Sequence, residues 1–85
     1  MGTRLYVSSL PPAATEETVT ARFREFGVVL SVALDGVARA NRRGAFVEME
    51  KSADAYRAIA ALNLSDFDGR LVSVYLAPAS MPISP

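Results

Sequence analysis

The hydrophobic pattern of this chain changes period several times along its length, and each change predicts a boundary between elements. Residues 4–9 alternate, with Leu5 and Val7 in one phase and Arg4, Tyr6 and Ser8 in the other, which is the period of a half-buried strand. Pro11-Pro12 ends that strand, because neither residue has an N–H to donate and both fix φ. Thr15 then has the side chain of an N-cap, and Glu16 and Glu17 suit the positive end of a helix dipole. Val19, Phe23 and Phe26 recur at helical spacing as far as Gly27, a natural C′ residue.

Val28 to Leu34 is apolar and β-branched and predicts a second strand. Asp35-Gly36 predicts a turn leading through Val37-Ala38-Arg39-Ala40-Asn41 to a third strand over 43–49. Ser52 is the expected cap of a second helix, where Ala55, Ala58, Ile59 and Leu62 form a stripe of small and apolar residues suited to close packing on a sheet, ending near Asn63. Leu64 to Gly69 reads as a loop, with Phe67 plugging the core beneath it. Leu71 to Leu76 predicts a last strand, with Val72, Val74 and Leu76 facing the core and Tyr75 facing away. Pro78, Pro82 and Pro85 mark a tail with little to bury, so residues 1–78 are expected as one domain and 79–85 as a flexible extension. The order β-α-β-β-α-β predicts an α+β, ferredoxin-like fold: a four-stranded antiparallel sheet with two helices on one face and the other face open. Leu5, Val7, Ala45, Val47 and Met49 then enter the core, while Tyr6, Phe46 and Tyr75 face outward.

Composition narrows the chemistry. A chain of 85 residues has room for one domain that buries roughly 60% of its unfolded surface. The absence of Cys and His removes thiolate and imidazole metal sites, Cys or His nucleophiles and the usual general base. Carboxylates alone do not assemble a catalytic set: Glu16 and Glu17 are helix neighbours that face apart, and Asp66-Phe67-Asp68-Gly69 lacks the alternating oxygen ligands of a calcium loop. No catalysis, cofactor or small-molecule substrate is expected. No apolar run approaches the ~18 residues of a membrane span, and no secretory signal is present, so a cytoplasmic protein without membrane contact is expected.

Nine basic residues balance nine acidic ones. Phosphate affinity is largely electrostatic, so the distribution of charge matters more than its sum. Arg39, Arg42 and Arg43 cluster at the entry to the third strand, and Arg4 lies on the first strand beside it.

The segments Leu5-Tyr6-Val7-Ser8-Ser9-Leu10 and Arg42-Arg43-Gly44-Ala45-Phe46-Val47-Glu48-Met49 together resemble the two consensus segments of the RNA recognition motif. The resemblance runs over about residues 3–78, because Phe23, Phe26-Gly27, the Ala55 to Asn63 series and Asp68-Gly69-Arg70 also fall where such domains carry equivalents. Phe-Val-Glu-Met followed by an Ala-rich helix is most similar in style to small single-domain bacterial members. What the resemblance implies is a sheet face that binds single-stranded RNA, with aromatic side chains stacking on bases. Tyr6 fills the aromatic slot of the first segment and Phe46 the second aromatic slot of the longer one, while the first of those slots holds Gly44, which offers no π-face. Arg42 fits the basic slot used on phosphate, and Arg43 stands where the pattern usually has Gly. The implied RNA-binding set is Tyr6, Phe46, Tyr75, Arg42, Arg43 and Arg4, with Tyr75 partly replacing the ring absent at Gly44.

Each of these residues also has a plainer reading, the rings as shields for an exposed sheet and the arginines as solvated loop residues. Glu48 on the sheet face and Glu50 nearby oppose the local positive field, so the expected binding is micromolar or weaker with a shallow salt dependence. The competing function is a protein-interaction or self-associating module on the same fold. Its tryptophan-capturing subclass carries Arg-X-Phe before the last strand, whereas this chain has Ser65-Asp66-Phe67.

Overall fold

A computed structural model of the chain describes residues 2–34 and 43–77; the expected turn at Asp35-Gly36, Arg39, Arg42 and the tail over 79–85 lie outside the described residues. The elements run β1 (Thr3–Leu10), α1 (Glu16–Arg24), β2 (Val29–Leu34), β3 (Arg43–Met49), α2 (Ser52–Leu62), β4 (Ser65–Phe67) and β5 (Arg70–Leu76). The strands lie in the order β2-β3-β1-β5-β4 and every described pairing is antiparallel. Alternation does what the pattern predicts: Leu5, Val7, Ala45, Val47, Met49, Val72 and Val74 are buried against the helices, where Val19 and Phe23 of α1 and Ala55 and Ala58 of α2 meet them.

A bulge separates Val7 from Leu10 in the β1–β3 ladder, and Ser9 within it has φ of 69°. The inserted residue shifts the phase by one, so Leu10 rather than Ser9 faces inward and is fully buried.

The sheet has five strands, not the expected four. Ser65–Phe67, read as loop, is a short edge strand paired with the start of β5: Ser65 with Val72, Asp66 with Leu71, Phe67 with Arg70. Its polar residues conceal it, since strand propensity is low for Asp and only Phe67 turns inward. Asp68-Gly69 makes the pairing by adopting φ of 53° and 91°, the doubly positive geometry of a two-residue hairpin turn matched to the twist of the strands. Arg22 of α1 fastens this hairpin, with its guanidinium 4.4 Å from the Phe67 ring centroid and Nη1 donating to the Asp66 carbonyl at 3.2 Å.

Helix boundaries differ from expectation in two places. Thr15 caps α1 as predicted, its hydroxyl accepting from the Thr18 N–H at 3.2 Å while Thr18 Oγ1 accepts from the Thr15 N–H at 3.0 Å. The helix closes at Glu25, however, short of Gly27. Gly27 is needed for close approach instead, because a Cβ there would overlap the Asp54 carboxylate. Asp54 in turn accepts from Arg57, which also donates to the Phe26 carbonyl at 2.6 Å, so the corner after α1 is tied to α2. In α2 the N-cap position is Lys51, without a side-chain cap, and Ser52 is the first helical residue. The Ser52 hydroxyl instead meets Thr3 Oγ1 at 2.6 Å and joins the starts of α2 and β1.

Leu76 was expected in the core and is 42% exposed. It keeps the phase of Val72 and Val74, but it is the last residue of β5, at the margin of the helical layer. Asn63, just past α2, accepts the Val74 N–H on Oδ1 at 2.9 Å and so pins the helix end to β5.

Candidate nucleic-acid interface

The open face is organised by strand register. Phe46 of β3, Tyr6 of β1 and Tyr75 of β5 lie directly opposite one another across the three central strands, and Ala33 of β2 extends the row. Tyr6 and Phe46 are 4.9 Å apart between ring centroids at an interplanar angle of 62°, an edge-to-face contact. Tyr6 and Tyr75 are 5.7 Å apart at 44°. The Tyr75 side is the wetter end, at 43% exposure, while Tyr6 and Phe46 are half-buried. Three residues far apart in sequence thus form one continuous aromatic surface that solvent reaches from one side.

Toward one end of the strands the face becomes small and polar, with Gly44 on β3 and Ser8 opposite Ser73 on β1 and β5. Toward the other end it becomes charged, with Arg4 opposite Glu48. Contacts do not follow these direct pairs but run diagonally from β1 to β3, as the twist of an antiparallel pair favours. The Arg4 guanidinium stands over the Phe46 ring, with Cζ 5.6 Å from its centroid, rather than pairing with Glu48. Tyr6 leans one step further along, so that a Cβ at Gly44 would overlap its hydroxyl and the adjoining ring carbon. Glu48 lies over Gly2, where a Cβ would collide with its carboxylate, and its Oε1 accepts from the Ser31 hydroxyl at 3.5 Å.

The six candidate residues therefore divide. Tyr6, Phe46, Tyr75 and Arg4 are brought together on one face. Arg42 lies outside the described residues. Arg43 opens β3 in phase with Ala45, Val47 and Met49, the phase of the covered face, and its Nε is buried without a hydrogen-bond partner. Sequence reasoning missed Leu71, which shares the phase of Ser73 and Tyr75 and is 63% exposed on the open side; that alternation was the available signal. It also missed the use made of Gly44. The space above this residue is filled by the Tyr6 phenol, so the aromatic surface is displaced along β1 and not simply interrupted.

RNA-binding protein 4B of Mus musculus is 30% identical over 83 residues, which is 98% of this chain but 22% of that protein, so the chain spans about a fifth of the relative it matches. The crystal structure of RNA-binding protein PG1 superposes with a TM-score of 0.81 at 33% identity, covering 94% of this chain and 98% of that one. A Sxl-Lethal protein/RNA complex superposes with a TM-score of 0.77 at 32% identity, covering 88% of this chain and 47% of that one. The family model for the RNA recognition motif matches residues 5–73, from the first core leucine of β1 into β5. With that match, and with the aromatic row on the two central segments in place, this chain belongs to the RNA recognition motif family.

Proposed function

We propose that this domain binds single-stranded RNA on the open face of its sheet, with bases stacking on Phe46, Tyr6 and Tyr75. The observation that carries the reading is the row itself: three rings in register on adjacent strands, at centroid separations of 4.9 and 5.7 Å. Stacking on such rings tolerates any base, because every base has a π-face. Membership of the family and the RNA-bound relative support the same reading. Arg42 is the proposed phosphate contact, and Arg43 is proposed only as a supplement to the local positive field.

Phe46→Ala tests it. Stacking contributes about 1–3 kcal/mol per base by alanine substitution, so affinity for single-stranded RNA is expected to fall at least several-fold while the dispersion of the NMR spectrum is retained. Unchanged affinity in a folded variant would sink the reading. A protein-interaction or self-association role is the second reading, favoured by the exposure of Val28 and Leu30, at 54% and 51%, along the β2 edge. Absence of RNA binding together with a concentration-dependent mass in light scattering is the result that would prefer it.

A further inference from the structure

We propose that Arg4 is a stacking lid, closing over a base seated on Phe46, and not a phosphate contact. The inference rests on the RNA-binding reading above.

Three observations lead to it. Arg4 faces a carboxylate directly across the ladder, at Glu48, yet among the described residues it forms no ion pair and its guanidinium lies over the Phe46 ring. Glu48 is drawn the other way, over Gly2 and toward Ser31, so nothing from β3 competes for Arg4. The 5.6 Å between Cζ and the ring centroid falls short of the roughly 7 Å that a sandwiched base needs, taking ~3.4 Å per stacking step. The guanidinium therefore has to lift away from the ring to admit a base, a movement within reach of the flexible arginine stem.

The resting contact and the bound one have the same chemistry. A planar, delocalised guanidinium stacks on aromatic rings and on bases alike, and a lysine ammonium does not reproduce that plane although it carries the same charge. A base entering between Arg4 and Phe46 exchanges one cation–π contact for two stacked faces. Arg4 also shields the ring from water when no base is present, which keeps the half-buried phenylalanine from being a purely apolar patch.

The lysine variant separates the two roles, because a phosphate contact needs a charge and a lid needs a plane. Binding of a pool of random single-stranded RNA hexamers would be measured for the wild type, Arg4→Lys, Arg4→Ala, Phe46→Ala and the double variant Arg4→Lys/Phe46→Ala, with NMR dispersion confirming that each is folded. The expected result is that Arg4→Lys and Arg4→Ala both weaken binding about 3- to 10-fold, and that Arg4→Lys has no further effect once Phe46 is removed. Wild-type affinity in Arg4→Lys, or in Arg4→Ala, overturns the lid, and so does an equal loss from Arg4→Lys with and without Phe46. If Phe46→Ala weakens binding while both Arg4 variants do not, the RNA reading stands and the lid alone falls; if the wild type binds no hexamer, both fall.

Discussion

At the scale of single residues, the open face is governed by what is absent from two of its positions. Gly44 and Gly2 each leave room for a side chain from the neighbouring strand, Tyr6 in one case and Glu48 in the other, and Arg4 takes the diagonal between them. Gly44 is thus a packing requirement of Tyr6. We expect Gly44→Ala to push the phenol off β3 and to open its edge-to-face contact with Phe46, visible as altered ring-current shifts of the Phe46 protons, with a stability loss of about 1–3 kcal/mol from overpacking. Unshifted Phe46 resonances would show that Tyr6 tolerates the methyl group. The outward phase of Tyr6, Phe46 and Tyr75 was legible in the sequence, because a strand's period of two is a local property. The covering of Gly44 was not, since it depends on a diagonal contact between strands whose register no local pattern states. For the same reason the sequence reading treats Gly44 as a lost platform and Arg4 as a charge.

At the scale of elements, the sequence announced those whose signals are regular and missed those made by turns and end contacts. The strands β1, β2, β3 and β5 and both helices follow from periodicity and proline punctuation. β4 does not, because three residues carry no period, and what creates it is the backbone geometry of Asp68-Gly69. Nothing lies within 4 Å of where a Cβ on Gly69 would point, so any cost of a substitution there comes from its φ of 91° alone. Gly69→Ala is accordingly expected to lower stability by about 1–2 kcal/mol, read as a shift in denaturation midpoint at constant m-value. An unchanged midpoint would mean that β4 is held by the Arg22 contacts and not by its turn. The misplaced cap at Ser52 has a similar origin: its hydroxyl had two uses available, and the partner it takes, Thr3, belongs to a strand at the other end of the chain.

At the scale of the whole molecule, and on the proposed reading, the equal count of acidic and basic residues leaves affinity to the aromatic row. Each phosphate contact contributes a slope of about −0.7 to the dependence of log affinity on log salt for single strands, so a site resting on stacking and one or two arginines should show a slope no steeper than about −1.5. A titration of RNA binding across salt concentrations checks this, and a steep slope would reveal a basic surface that the described residues do not contain.

β1 lies in the middle of the sheet, although it is the first of the five strands in sequence order, and its two neighbours follow much later, as the third and fifth. During synthesis its β3 edge stays unpaired until β3 has emerged and its β5 edge until β5 has, so Phe46 becomes available to Tyr6 well before Tyr75 does. Loops of this length have to close before the pairings that reward them can form, and of the two pairings of β1 the one with β5 spans the longer loop. A nascent chain interrupted before Tyr75 would therefore hold Tyr6 and Phe46 without the third ring, and on the proposed reading the stacking row is complete only when the final strand docks.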